Sequence, residues 1–178
     1  MAELDLYQEI ASRVFKWYKG KKLFPTKLQF NPTNRCNLKC PFCWLRDFPN
    51  TEWEELSKER YLELVREAKK LKVKEVQITG GGEPLMRKDL VEILSEIKKY
   101  KLIGKLTTNG TLFTKSFIEK MVDIGWDEVV ISLDAPTQKL NDIHRGKKGS
   151  FKLIVSNLRK IQKEKRKRKK EKPFLSIH

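Results

Sequence analysis

The residues best equipped for chemistry are three cysteines, Cys36, Cys40 and Cys43, set in a Cys-x3-Cys-x2-Cys loop. An odd, clustered set does not make a disulfide framework, and in a chain without an export signal it points to metal. A structural zinc site closes its shell with four ligands. His144 or His178 would have to complete one, although neither stands at a zinc-ribbon spacing from the cysteines. Three thiolates without a fourth suit an iron–sulfur cubane with one iron left open.

Other polar or glycine-rich stretches recur along the chain. Gly80-Gly81-Gly82 precedes Glu83-Pro84. Glycines there let a ligand approach the backbone and leave N–H and C=O groups free. The stretch has neither the Gly-x-Gly-x-x-Gly spacing of a dinucleotide site nor the Gly-Lys-Ser/Thr of a P-loop, so a nucleotide phosphate is not its natural ligand. Thr107-Thr108-Asn109-Gly110 reads as a turn. Ser132 and Asp134 are two apart on an apolar run, so on a strand both side chains point the same way. His144-Arg145-Gly146 follows. No paired acid and base stands out for proton transfer.

The elements that position these residues alternate. Leu4–Tyr18 reads as an amphipathic helix, with Leu6, Ile10, Val14 and Trp17 (or Phe15 and Tyr18) forming a stripe expected to pack on the core. Strands are expected at Lys27–Asn31, Glu75–Thr79, Leu102–Thr107 and Glu128–Leu133, with the start of a fifth at Pro173–Ile177. Helices are expected at Ser57–Leu71, Lys88–Tyr100, Thr114–Ile124 and from a Ser150 cap to about Lys163. Thr33–Asn50 reads as a loop. Repeated strand–helix units give an α/β fold with a parallel sheet and right-handed crossovers. In such folds the C-terminal strand ends share one face, where ligands bind. The cysteine loop and the three later motifs each follow a strand, so they converge on one mouth.

The chain has 178 residues, 39% hydrophobic and 35% charged, with a net charge of +16. That suits one domain with a core of its own. No run approaches the roughly 18 apolar residues of a membrane helix, and the acidic N-terminus is not a signal peptide. The expected location is the cytoplasm, with no membrane partner. Abundant Lys and Glu with few Gln is a composition found in hyperthermophile proteins. Ten basic and two acidic residues fall between Arg159 and Lys172, half of the net charge. The densest part, Lys163–Lys172, reads as a solvated helix end, or as a nucleic-acid patch that would bind phosphates in a salt-dependent way.

The ordered set of motifs resembles the radical S-adenosylmethionine (radical SAM) superfamily. Cys36, Cys40 and Cys43, with Phe42 before the last, resemble its signature, and Gly81-Gly82-Glu83-Pro84 is similar to its second-strand motif. Thr108-Asn109-Gly110, Ser132-Leu133-Asp134 and His144-Arg145-Gly146 follow in the family's order, over about Lys27 to Ile161. The resemblance implies a partial TIM-like (β/α) barrel. It implies a [4Fe–4S] cluster on the three cysteines, whose fourth iron takes the amino and carboxylate groups of SAM. Phe42 would lie against the adenine, Gly81, Gly82 and Glu83 would meet the methionyl amino group, and Ser132 and Asp134 would hold the ribose. Asn109 and Arg145 would be further SAM contacts, Arg145 pairing with the carboxylate. One electron from a reductant would cleave SAM to a 5′-deoxyadenosyl radical, which takes hydrogen from a small-molecule, peptide or RNA substrate. A non-catalytic iron–sulfur or zinc module binding RNA or protein through the basic segment is the alternative.

The family core has six strand–helix units. Here about four complete units follow an N-terminal helix, so residues 1–24 are expected to form that helix and 25–178 a core domain truncated near its fifth strand. A short protein that completes its sheet by dimerising is the other reading of the same feature.

Overall fold

The computed structural model describes residues 2–46 and 54–178. Part of the expected 33–50 loop therefore lies outside the described residues. Helix α1 (Ala2–Tyr18) leads into β1 (Lys27–Phe30), followed by α2 (Lys58–Lys70), β2 (Glu75–Ile78), α3 (Leu90–Lys99), β3 (Ile103–Thr108), α4 (Lys115–Asp123), β4 (Glu128–Ile131), α5 (Gln138–His144), α6 (Ser150–Lys167) and β5 (Phe174–Ile177). The five strands form one sheet in the order β1-β2-β3-β4-β5. Every pair is parallel, with Phe30 beside Ile78, Leu106 beside Val129 and Ile131 beside Ile177.

Period-two alternation decides which face the helices cover. Phe30, Val76, Ile78, Leu106, Val129 and Ile131 are buried against Val65 of α2, Leu94 and Ile97 of α3, Met121 of α4 and Ile154 and Ile161 of α6. Most of the alternate positions are polar, among them Gln29, Glu75, Gln77, Lys105, Thr107 and Glu128, with Ile103 and Val130 as exceptions. Gly104 sits where β3 meets Trp126, a fully buried residue, and a Cβ there would collide with the indole ring. The glycine lets that ring pack directly against the strand, with Nε1–H donating to the Glu128 carbonyl at 2.9 Å.

Local chemistry sets the helix starts. Ser57 Oγ accepts from Arg60 N, and Thr114 Oγ1 accepts from Phe117 N, each capping the helix it precedes. Three expectations need correction. Ser150 does not cap α6; Gly149 does, at φ 85°. The Ser150 side chain is buried, donating to Asp142 Oδ1 at 2.9 Å and accepting from Asn141 Nδ2 at 3.1 Å. The orphan N–H groups at the start of α6 are met from α5, by the Asp142 carboxylate, which accepts from Gly149 N (2.7 Å) and Phe151 N (3.0 Å). Helix α5 itself was not foreseen. It is seven residues long, and its apolar Leu140 and Ile143 are exposed, so it carries no buried stripe to read.

The third correction is α1. Its stripe is not packed on the core: Ile10, Val14, Phe15, Trp17 and Tyr18 are all exposed, Trp17 at 70%. Leu6 falls outside the described side chains. The period of a helix shows that it has an apolar face, not what covers that face.

Candidate functional site

Four loops meet at the C-terminal ends of the strands around a cavity of about 180 Å³. Cys36, Cys40 and Cys43 all line it, from the loop after β1. Gly80, Gly81, Gly82 and Glu83 line it from the loop after β2, Asn109 from β3, Ser132 from β4 and Arg145 from the end of α5. Phe42 stands at the rim, 65% exposed, with the Arg145 guanidinium 5.9 Å over its ring and the His144 ring edge-on at 6.4 Å. The residues expected to converge are brought together, with one exception.

The exception is Asp134. The strand ends at Ile131, so the alternation that would aim Asp134 alongside Ser132 stops before it. Asp134 instead takes Arg145 Nη2 at 2.5 Å and is not part of the cavity wall. Its backbone N–H donates to Asn141 Oδ1 at 3.3 Å, which ties it to α5. Arg145 is only 8% exposed, and its Nε is buried without a hydrogen-bond partner. A buried guanidinium donor left open is costly unless a ligand takes it.

The glycine loop is knitted to the cysteine loop. A Cβ on Gly82 would collide with the Arg35 carbonyl, and one on Gly81 with the Asn34 side-chain oxygen. Gly82 N–H donates to Thr33 O at 3.0 Å and Glu83 N–H to Arg35 O at 2.8 Å. The Gly82 N–H, expected to be free for a ligand, is therefore engaged, and so is that of Glu83. Glu83 is 2% exposed. Its Oε1 accepts from Thr108 Oγ1 (2.6 Å) and Leu85 N (3.0 Å), and its Oε2 from Asn109 N (2.7 Å). Burial pushes the Glu83 carboxyl above its usual range, against the opposing pull of these three donors.

Asn109 carries the contact onward. Its Nδ2 donates to Asn37 Oδ1 at 2.9 Å and lies 4.0 Å from Cys36 Sγ. Asn37 in turn donates to Thr111 Oγ1 at 2.9 Å. Asn37 and Thr111 were not singled out from the sequence, although Asn37 lies within the cysteine loop, and Thr108 was read only as part of a motif with no role of its own. On the other side, Cys40 Sγ–H donates to the Arg145 carbonyl at 3.7 Å. Burial raises the Cys36 and Cys40 thiols above their ordinary value; the Arg145 guanidinium pulls Cys40 the other way.

The loop is braced from below by Arg87, which is buried. Its Nη1 donates to Pro32 O (3.1 Å) and Leu56 O (2.9 Å), its Nε and Nη2 grip Asp89, and it stacks over the Tyr61 ring at 5.1 Å.

Three thiols around one cavity, a guanidinium with one N–H left open and a buried carboxylate are groups that could hold a metal cluster and a zwitterionic ligand. Among the described residues no group of three His, Cys, Asp or Glu side chains is already closed around a metal position.

Comparison with known proteins gives the family. The radical SAM superfamily profile matches residues 30–171, and the chain belongs to that superfamily. It is 33% identical over 158 residues to an Fe-coproporphyrin III synthase of Methanosarcina barkeri, covering 88% of this chain and 38% of that protein. It is 39% identical over 109 residues to a probable GTP 3′,8-cyclase of Archaeoglobus fulgidus, covering 61% of this chain and 36% of that one. Streptococcus suis SuiB bound to S-adenosylmethionine superposes with a TM-score of 0.72 at 26% identity, over 92% of this chain and 38% of SuiB. The sheet is therefore a partial TIM barrel. The chain spans little more than a third of these relatives. The cofactors of the family, and of this chain, are a [4Fe–4S] cluster and SAM.

Proposed function

We propose that this chain is the SAM-binding core of a radical enzyme. When bound, a reduced [4Fe–4S] cluster with SAM supplies a 5′-deoxyadenosyl radical, which takes a hydrogen atom from a substrate. The observation that carries this reading is the convergence of Cys36, Cys40, Cys43, the glycine loop and the open Arg145 Nε on one cavity.

Each residue then has a task. Cys36, Cys40 and Cys43 hold the cluster. Arg145 donates its free Nε to the methionyl carboxylate, and Asp134 acts through Arg145 by fixing the guanidinium rather than by holding ribose. The methionyl ammonium needs acceptors, and the loop at Gly81 and Gly82 offers carbonyls while Glu83 Oε2 accepts one hydrogen bond, from Asn109 N, among the described residues. Asn109 holds the cysteine loop in register through Asn37. Ser132 faces the ribose and Phe42 covers the adenine. Residues 25–178 form this core, with the first 24 outside it, and three free cysteines suit the reducing cytoplasm.

The relatives' names speak of a coproporphyrin and of GTP. A domain shared by such different enzymes supplies the radical, and on this reading the substrate is chosen by other parts of each protein. The test is release of 5′-deoxyadenosine from SAM by anaerobically reconstituted, reduced protein, followed by chromatography. Release above that of a Cys40→Ala variant supports the reading; equal traces from both would refute it.

A further inference from the structure

The radical reading requires one electron to reach the cluster from outside, and the structure offers one approach to the cysteine loop that is both open and charged. Beside α5 lies a depression of about 560 Å³ walled by Lys139, Ile143, Lys147 and Lys148, with Gly146 at its floor. Gly146 packs so closely on the Lys39 carbonyl that a Cβ would collide with it. The preceding residue, Arg145, accepts from Cys40 Sγ through its carbonyl. One residue of backbone therefore separates the floor of the depression from a thiol of the cluster loop.

The surroundings suit a docking protein of negative charge. Ile143 in the wall of the depression is 57% exposed, and Leu140, one turn earlier on α5, is 48% exposed, giving an apolar pair beside the lysines. Lys139, Lys147 and Lys148 line the depression and are exposed, and Lys39, whose carbonyl packs on Gly146, is exposed too; among the described residues none of the four has an ion-pair partner. The acid in the wall, Asp142, is engaged by Gly149 N, Phe151 N and Ser150 Oγ. Apolar centre and charged rim are the anatomy of a transient interface, and like-signed rim charges speed encounter with a partner of opposite sign. The basic end of α6 is a poorer candidate. It lies at the N-terminal ends of the strands, a domain's depth from the cysteines, and electron transfer fades steeply with distance.

We propose that the Lys39–Lys139–Lys147–Lys148 face is the docking surface for an acidic one-electron carrier protein, which passes its electron to the cluster beside Cys40. The carrier is oxidised by one electron and the cluster reduced by one. This rests on the proposed function only in placing a cluster at Cys40; carrier binding is read separately from SAM cleavage.

The test uses reconstituted protein, a purified acidic ferredoxin as probe and photoreduced deazaflavin as a small uncharged reductant. The variant K139E/K147E/K148E is expected to bind ferredoxin about tenfold or more weakly at low salt, to lose most of the salt dependence, and to be reduced by ferredoxin correspondingly slowly. Deazaflavin should reduce it at the wild-type rate. K163E/K167E/K170E, with the same change of net charge at the far end, should behave as wild type, and K139Q/K147Q/K148Q should show a smaller loss of the same sign. Unaltered ferredoxin binding by the first variant overturns the proposal, as does an equal loss in the α6 variant. So does a loss of single-stranded RNA binding with ferredoxin binding intact. If the cluster does not form at all, the functional reading fails while the binding arm still decides this one.

Discussion

The two ends of the sheet handle charge in opposite ways. At the N-terminal ends, charges are matched within the protein. Asp127 accepts from Gly104 N (2.8 Å), from Lys172 Nζ (2.5 Å) and from Lys98 Nζ. A ladder crosses all five strands: Lys27 to Glu75 at 2.9 Å, Lys105 to Glu75 at 3.7 Å and to Glu128 at 3.1 Å, and Ser176 to Glu128 at 2.8 Å. Glu75 Oε1 lacks a well-directed hydrogen bond, but Lys27 Nζ stands within ion-pair range of it. Part of the basic run belongs here too, with Lys165 donating to Pro173 O and Arg168 gripping Asp123 and Glu164. At the C-terminal ends, Arg145 Nε is left open and the Cys36 and Cys40 thiols are pushed toward their neutral form by burial. One end holds the strands together; the other keeps polar capacity in reserve for a ligand.

Variants should therefore separate stability from cofactor binding. The largest effect is expected from Cys36→Ala, Cys40→Ala or Cys43→Ala: iron and labile sulfide per chain should fall to background, with the far-ultraviolet circular dichroism of the apoprotein unchanged. Asp127→Ala breaks the base. It strands Lys98 and the Gly104 N–H, and urea unfolding should show a loss of about 2–3 kcal/mol, while iron content of the folded fraction stays normal. Burial works against ionisation of Asp127, but its Lys172, Lys98 and Gly104 donors prevail and hold its carboxyl below the usual range. Its contribution is thus fully present above the unfolded-state pKa and disappears as pH falls through the lower folded value. Gly104→Ala forces a methyl into the Trp126 ring and should cost about 1–3 kcal/mol, again without touching the site.

Arg145→Gln sharpens the other half of the comparison. It should keep the cluster yet weaken SAM binding about tenfold or more, since a charge-assisted contact is lost; isothermal titration would detect it. The smallest effect is expected from Asp142→Asn at the seam between α5 and α6. Its backbone N–H partners, led by Phe151, lower the Asp142 carboxyl to about 2. The wild type should melt above the variant at neutral pH, and the gap should close as pH falls from about 4 toward 2.

The parallel fold was legible because the strands are short segments with apolar residues at alternate positions between breakers, and α2, α3, α4 and α6 each carry a stripe that the sheet buries. Ser57 and Thr114 announced their helices because a cap is local. The mouth was legible because parallel strands bring their C-terminal ends together, so motifs far apart in sequence had to meet. What escaped was non-local or lacked a stripe. Asp142 caps a helix from another helix, Asp134 turns to Arg145 once its strand has ended, and Asn37 matters only because Asn109 folds over it. α1 offered a clear stripe that the described core does not cover.

The central claim is that the cavity holds a cluster with an iron open to SAM. It is tested most directly by electron paramagnetic resonance of the anaerobically reconstituted, reduced protein with and without SAM. The account predicts a reduced [4Fe–4S] signal whose shape changes when SAM is added, and a weaker response in Arg145→Gln. A signal indifferent to SAM, or no cluster signal, would contradict it.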